Sequence, residues 1–321
     1  MLVKEETIER LAQIPNLSVS QNVLLSRYTR FGIGGPADIY AETPDQHAFM
    51  QALGMARSTG LKHEIIGGGT NLIVSDAGFR GMVLRYTAAA MEQDGTRVRA
   101  DAGAVLQTLV DYTVDRGLMG LETMTGIPGS VGAAIYGNAG AYGHSIDEIV
   151  ETVRFFDGRE VRMAVNSECE FAYRESTFKR HKDWTIFSVD LQMQAAPAKE
   201  LRRTADDILA IRNQKYPPTM KCAGSIFKNL LLKDLEEPVR RVIPEKVIRE
   251  GKVPSAWFLE QIGAKGMKNG DIHVADYHAN LIYNVNNGTA LQLCQVIRDL
   301  KSRVLSRFGL ELEEEVQYVG F

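Results

Sequence analysis

The stretch from Gly126 to Gly143, GIPGSVGAAIYGNAGAYG, constrains this chain more than any other. Six of its eighteen residues are Gly, and half of the rest are Ala, Ser or Asn. Small side chains leave backbone N–H groups exposed, and Gly reaches positive φ at little cost. Such a run lets the backbone lie directly against a flat or phosphorylated ligand. A tight turn packed under a helix is the competing reading, and a single Gly pair would favour it. A second cluster, Gly67-Gly68-Gly69-Thr70-Asn71, follows the apolar run His63-Glu64-Ile65-Ile66. A strand running into a Gly turn presents amides to a pyrophosphate. Neither cluster is a GxxxxGK[ST] loop, and neither fits GxGxxG leading into a helix, so P-loop and Rossmann readings lose ground.

Periodicity around these clusters predicts three parts. Glu5 to Ile14 reads as an amphipathic helix, and Tyr28 to Asp38 as a loop. Thr43 is expected to cap a helix with Pro44 at its first position, running to Ser58. With strands at His63 to Ile66 and Met82 to Tyr86, residues 37 to 86 make a small βαβ unit with the Gly67 cluster at a strand end. The pattern restarts at Thr96. Arg97-Val98-Arg99-Ala100 alternates like a half-buried strand, and Val105, Leu106, Leu109, Val110 and Val114 form a helical stripe ended by Gly117. Strands at Ile149 to Phe156 and Trp184 to Met193 bracket an arm, Glu170 to Lys179. A helix from Ala198 to Lys215 stops at Tyr216-Pro217-Pro218, a breaker and a domain joint. The last third opens on Lys221-Cys222-Ala223-Gly224-Ser225-Ile226-Phe227-Lys228-Asn229. Lys233 to Lys252 is weakly patterned and reads as a surface insertion. A helix from Ala256 to Ile262, a strand from Leu281 to Val285, a helix from Ala290 to Phe308 ended by Gly309 and a strand from Leu312 to Tyr318 complete it. The expected class is α+β, with two α/β subdomains at 1–86 and 87–215 and a C-terminal α+β domain at 216–321.

At 321 residues the chain suffices for two or three domains of roughly 100 to 200 residues. A net charge of −3 gives no general attraction to nucleic acid or to a membrane surface, so an anionic ligand must be met by local basic groups. No run approaches the roughly 18 apolar residues of a membrane span, and the acidic amphipathic start is unlike a signal peptide. A cytoplasmic protein is expected. The three cysteines, Cys169, Cys222 and Cys294, are scattered as reduced thiols would be. Six histidines show no HExxH or CxxC partner spacing, so no metal site is expected.

Two Gly-rich clusters in successive α/β units suggest one elongated dinucleotide held between them, one cluster gripping the pyrophosphate and the other accommodating a flat ring. Composition alone does not make that ring a flavin. Seven motifs in order do more: YTRFGIGGPAD from Tyr28, GGGTNLIV from Gly67, GIPGSVGAAIYGNAGAYG from Gly126, FAYRESTFK from Phe171, CAGSIFKN from Cys222, His278-Ala279-Asn280, and LEEEV from Leu312. With these the chain resembles the UDP-N-acetylenolpyruvoylglucosamine reductases, flavoenzymes of bacterial cell-wall synthesis, from about Tyr28 to the C-terminus.

The resemblance implies FAD, bound without a covalent link, in a fold of the vanillyl-alcohol oxidase type, with a third domain for substrate and a final strand returning towards the flavin. It puts the cofactor on Gly67, Gly68, Gly69, Thr70, Asn71 and Leu72, and on Gly126, Ile127, Pro128, Gly129, Ser130, Gly132, Ala133, Asn138, Gly140 and Ala141. NADPH would deliver hydride to the flavin, which passes it to the enolpyruvyl methylene of UDP-N-acetylglucosamine enolpyruvate. Negative charge then appears beside the substrate carboxylate, so the site needs positive charge or donors there and an acid. By resemblance the Arg is Arg174, whose guanidinium suits a carboxylate, with a surface salt bridge to Glu175 as the competing reading. The proton donor is Ser225, which alone would read as a cap or turn residue. The terminal carboxyl is Glu315, which a neighbouring carboxylate would help to keep a proton. Glu314, where the pattern often has Pro, reads as a solvated edge residue, and Lys215, Lys228 and Asn229 are the candidates for diphosphate and uridine.

Fifty-one positions separate Arg174 from Ser225, as in the shorter class of this family, which lacks a substrate-capping Tyr loop. Leu230 stands where Pro is common and Ala133 where Gly is frequent. Two alternatives remain at this level. One is another flavin oxidoreductase of the same fold, such as a sugar oxidase; the other is a non-catalytic nucleotide-binding regulator.

Overall fold

The computed structural model describes the backbone of residues 2–321 and the side chains from Glu5 onward. The chain forms two compact units. One takes in the chain up to Val23, Ala37–Gly69 and Arg80–Pro217; the other takes Leu24–Pro36, Thr70–Phe79 and Pro218–Phe321.

The first unit carries two sheets. A four-stranded sheet has the order Ser18–Leu24, Pro36–Thr43, Phe79–Tyr86, His63–Ile66, and its last two strands run parallel, with His63 opposite Met82. The helix Gln46–Ser58 buries Ala48, Phe49, Ala52, Leu53 and Ala56, and Phe49 meets Tyr86 and Phe187 edge to face. Its cap is Asp45, which accepts from the N–H groups of His47 and Ala48. Thr43, expected in that role, belongs to the preceding strand and accepts from Asp45 N–H instead. A carboxylate two residues nearer the helix outcompetes the hydroxyl for the first free amides.

The second sheet is antiparallel, ordered Val161–Val165, Val150–Phe156, Thr185–Gln192, Arg97–Asp101, Met91–Asp94. Its central strand, Thr185–Gln192, is buried at every position but the last. Arg97–Asp101 alternates as its sequence predicts, with Val98 and Ala100 buried and Arg97 and Arg99 exposed. The helices Leu106–Asp115 and Ala198–Lys215 contribute Leu106, Leu109, Val110, Val114, Leu201 and Ala205 to the same core. The edge strands Met91–Asp94 and Val161–Val165 went unforeseen because they are short and half exposed, with little alternation to betray them.

The second unit packs the helices Ser255–Gln261 and Ala290–Phe308 with the antiparallel strands Lys268–Asn269, Ile272–Ala275 and His278–Asn284. Thr289 forms a capping box with Gln292 at the start of the long helix, where Asp76 also accepts from the N–H groups of Ala290 and Leu291. Gly309 ends it at φ +67°. The segment from Lys233 to Lys252 is not a surface insertion. It holds the helix Glu237–Val242 and buries Leu235, Val239 and Ile243 in the core of this unit. Three apolar residues four apart were masked by the charged residues between them. The final strand is Gln317–Val319, parallel to Leu72–Val74. The residues before it form no regular strand, and Glu314 makes an isolated bridge with Phe227.

In the first unit Asp190, 7% exposed, accepts from Arg99 Nε (2.8 Å), Arg99 Nη2 (3.1 Å) and Thr152 Oγ1 (2.8 Å). Burial works to raise its pKa, but the bonds from Arg99 and Thr152 outweigh it and hold the carboxyl below the usual range. A pKa lower in the folded than in the unfolded chain adds stability above the unfolded value, and that stability is lost as pH falls through the folded value. Asp190→Asn is therefore expected to cost about 1 kcal/mol at neutral pH, below the range of a buried charged hydrogen bond because Arg99 is 54% exposed. It should also remove part of the loss of stability below about pH 4, as urea unfolding across acid and neutral pH will read.

Candidate active site

The two Gly clusters meet within the first unit. A Cβ on Gly67 would lie 2.8 Å from Ser130 Oγ, and one on Gly68 would lie 3.3 Å from Gly129 Cα and 3.4 Å from Ser130 N. Backbone therefore touches backbone, and a side chain on either turn would push them apart. The run is sewn to its neighbours on the other side. Leu106 N–H donates to Gly129 O (2.9 Å), Val131 N–H to Ala104 O (2.8 Å), Gly132 N–H to Ala102 O (2.8 Å), and Gly126 N–H to Gln107 Oε1 (2.6 Å). Ser130 caps the short helix Val131–Tyr136, in which Ala133 sits with ordinary helical backbone. Ile127 packs on the core, and Gly140 and Ala141 begin a hairpin that pairs with Ser145 and His144. Among the described residues, the N–H groups of Gly67, Gly68 and Gly69 donate to no protein acceptor. Free amides on a turn that excludes side chains are the donor set a pyrophosphate takes.

Arg174 is built onto the same run. Its Nη2 donates to Gly140 O (2.9 Å) and its Nη1 to Asn138 O (3.4 Å). The arm reverses in a tight turn closed by reciprocal bonds between Ala172 and Glu175, which puts Arg174 at φ +59°. A non-Gly residue there costs on the order of 1 kcal/mol or more and persists only where its surroundings over-determine it. Four contacts do so. Lys179 Nζ donates to Arg174 O (2.8 Å) and to Glu175 Oε1 (2.9 Å), Ser176 Oγ to Tyr136 O (2.7 Å), and Asn138 Nδ2 to Ala172 O (3.0 Å). Glu175 thus has Lys179 for an ion-pair partner. Asn138, 4% exposed, spends its amide on this arm and on Asp147 N–H (3.3 Å). Nearby, burial raises the pKa of Glu64, against the pull of Lys182 and His63, and raises that of Tyr136, helped by Glu175 and Glu64.

The second unit gathers Ser225, Lys228, Asn229 and Glu315. Gly224 precedes Ser225 at φ +80°, with open space where a Cβ would lie, so the left-handed backbone and not crowding selects Gly there. Ser225 bridges Leu281, Ile226 N–H donates to Asn280 O (3.1 Å), and Glu315 N–H donates to Ile226 O (2.7 Å). The serine and the glutamate therefore sit on neighbouring extended segments. Asn71 joins them: its Nδ2 donates to Glu315 O (2.9 Å), and its own carbonyl accepts from Gln317 N–H. Leu72 begins the strand parallel to Gln317–Val319. Lys228 is buried and ion-paired with exposed Glu313, and Asn229 Oδ1 accepts from Ser255 N–H (3.4 Å). Lys215 ends its helix in the first unit, with Nζ 5.1 Å from the Tyr216 ring centre. Glu314 is not a solvated residue. At 17% exposure it binds Lys301 Nζ (2.8 Å) and the Tyr318 hydroxyl, whose pKa burial and this bond raise above its ordinary range.

Asn280 escaped sequence reasoning as a structural centre. Only 2% exposed, its Oδ1 accepts from the N–H groups of Phe227 (2.9 Å) and Ile226 (3.2 Å), and its Nδ2 donates to Phe227 O (2.8 Å) and Ser255 Oγ (2.7 Å). The available signal was an amide between Ala279 and Leu281 in an otherwise apolar strand, since buried amides are kept only where they are bonded.

A family model described as "FAD binding domain" matches residues 37–163, and one described as "UDP-N-acetylenolpyruvoylglucosamine reductase, C-terminal domain" matches residues 216–319. A UDP-N-acetylenolpyruvoylglucosamine reductase of Solibacter usitatus is 65% identical over 311 residues, covering 97% of this chain and all of the relative. The chain belongs to the UDP-N-acetylenolpyruvoylglucosamine reductase family. A second reductase of this name, from Rubrobacter xylanophilus, is 33% identical over 92% of this chain and 93% of its own length. The crystal structure of the reductase from Thermus caldophilus superposes with a TM-score of 0.73 at 27% identity, covering 94% of this chain and 99% of that one. The reductase fold is thus of the α+β class expected, an FAD binding domain followed by the reductases' C-terminal domain.

The glycine contact gives a direct test of the cofactor cradle. Gly68→Val should separate the two turns and weaken FAD retention at least tenfold, about 1.4 kcal/mol, with the far-UV circular dichroism unchanged. Flavin release on dilution measures it; retention equal to that of the unaltered protein would remove the Gly68 turn from the cofactor site.

Proposed function

We propose that this chain catalyses the NADPH-dependent reduction of UDP-N-acetylglucosamine enolpyruvate to UDP-N-acetylmuramate in bacterial peptidoglycan synthesis, in the cytoplasm. The observation that carries the reading is the 65% identity to a reductase of that name over nearly the whole chain. It is supported by the presence of all three required residue types, Arg174, Ser225 and Glu315, each on a segment held by several hydrogen bonds. The functional division is two FAD-binding subdomains at 1–86 and 87–215 and a substrate-binding domain at 216–321. Three free cysteines accord with a reducing compartment.

FAD would be held by the turns at Gly67 to Gly69 and Gly126 to Gly132, and would supply the hydride transfer that links NADPH to the substrate. The chain's own residues deal with the charge and the proton. Hydride arriving at the enolpyruvyl methylene makes it a methyl group and leaves an electron pair on the neighbouring carbon, delocalised into the carboxylate. Arg174 stabilises that charge. Its guanidinium is preorganised by Gly140 O and by the turn around it, so little reorganisation accompanies the reaction. Ser225 donates its hydroxyl proton to the carbon, completing the lactyl ether, and must then recover a proton. Glu315, on the adjoining segment, supplies or shares that proton. Lys215, Lys228 and Asn229 are assigned to the diphosphate and uridine. Lys228 would exchange its exposed partner Glu313 for phosphate, since an ion pair with a largely solvated carboxylate is weak.

Separate half-reactions test the assignment. In anaerobic stopped-flow, Ser225→Ala should leave flavin reduction by NADPH within about twofold while reoxidation by the enolpyruvyl sugar falls by about 10² to 10⁴. Arg174→Lys keeps the charge but loses the planar fork, so reoxidation should fall about 10²-fold. Equal losses in both half-reactions would contradict the roles given to these two residues.

A further inference from the structure

Ser225 must present its hydroxyl to one carbon, yet it lies on a segment with no regular secondary structure around it, beside a Gly at φ +80°. Such a segment needs an external clamp. Asn280 supplies four hydrogen bonds from one buried amide: two from the N–H groups of the residues that directly follow Ser225, one to Phe227 O and one to Ser255 Oγ. Ser255, 0% exposed, adds a bond to the same Phe227 carbonyl (3.2 Å). Ile226, gripped by both the backbone and the side chain of Asn280, offers its carbonyl to Glu315 N–H. One amide thus sets the position of Ser225 along its segment and, through Ile226, its offset from Glu315.

We infer that Asn280 is a positioning residue for the protonation step, with Ser255 as its anchor; the inference rests on Ser225 being the proton donor. It touches neither reacting atom. Its hydrogen-bonding capacity is filled by protein, which leaves none for a ligand and separates it from the substrate-binding candidates. These bonds also satisfy the buried N–H and C=O of Phe227, which an apolar residue at 280 would leave without this partner, so a purely stabilising role is separated from positioning by the half-reactions below. The amide becomes intelligible when the bonds it makes are those that aim the preceding serine. Displacements of about 1 Å at such a group cost on the order of 100-fold in rate.

Three variants of the FAD-loaded full chain test it in single-turnover half-reactions. Asn280→Ala should slow reoxidation by the enolpyruvyl sugar about 100-fold while flavin reduction by NADPH stays within about twofold. Ser255→Ala, which leaves Asn280 its other three bonds, should slow reoxidation by a smaller factor. Asn280→Asp is the diagnostic one: its neutral carboxylic acid can accept from the two N–H groups and donate once, whereas its carboxylate cannot donate at all. Reoxidation in Asn280→Asp should therefore recover as pH is lowered and the new carboxyl gains a proton, while flavin reduction shows no such recovery. Amide hydrogen exchange across residues 224–229 should rise in Asn280→Ala and Ser255→Ala with the rest of the second unit protected. Reoxidation at the unaltered rate in Asn280→Ala, equal losses in both half-reactions, or no recovery of Asn280→Asp at low pH would each overturn the inference. Ser225→Ala run beside them separates the two claims. If it reoxidises normally, the proton-donor role fails; if it is slow while Asn280→Ala is normal, only the positioning role fails.

Discussion

The first unit depends on a contact between two stretches of backbone. Gly68 lies against Gly129 so closely that the smallest side chain would crowd the opposing Cα at 3.3 Å. That approach ties the end of a parallel strand to the start of the short helix Val131–Tyr136, beside the N–H groups of Gly67, Gly68 and Gly69. The remainder of the unit serves the contact from behind. The 102–106 segment bonds Gly129, Val131 and Gly132 from one side, and the Arg174 arm takes the carbonyls of Tyr136, Asn138 and Gly140 from the other. The glycines are therefore not loose. They are the positions where the fold requires absence of bulk, and the apolar cores beneath fix where that absence falls.

The second unit solves a different problem with a different device. The irregular segment that carries Ser225 has few ladder hydrogen bonds, and the buried side-chain amide of Asn280 bonds the two residues that follow the serine. In both units the side chain proposed to act stands on strained or irregular backbone, Arg174 at φ +59° and Ser225 after Gly224 at φ +80°, and in both a dense set of hydrogen bonds from well-packed neighbours holds the segment there. Local strain at a functional position is sustained by rigidity elsewhere.

Much of this was legible from residue order because the signals were strong and local. The helices Ala198–Lys215 and Ala290–Phe308 have clear apolar stripes and punctuated ends, and both fall where periodicity places them. The Gly clusters announced themselves by composition. What sequence could not give were relations set by tertiary competition. Asp45 displaced Thr43 as a cap by standing nearer the free amides. The charged stretch after Lys233 hid three core residues because its charges face away from Leu235, Val239 and Ile243. Glu314 looked like a surface acid, yet Lys301 on the long helix and Tyr318 enclose it. The side chain of Asn138 bonds the Arg174 arm and Asp147 N–H, a relation that residue order does not show. Asn280 was visible only as part of a motif, since nothing in the order of residues says which amides a buried side chain will hold.

The central claim is that one chain carries a flavin, takes electrons from NADPH and gives them to an enolpyruvyl sugar. An anaerobic visible absorbance spectrum of the purified protein, taken before NADPH, after NADPH and after UDP-N-acetylglucosamine enolpyruvate, tests it most directly. The account predicts flavin bands that bleach with NADPH and return in full with the sugar. A colourless protein that FAD cannot reconstitute, or bleached bands that the sugar fails to restore, would contradict it.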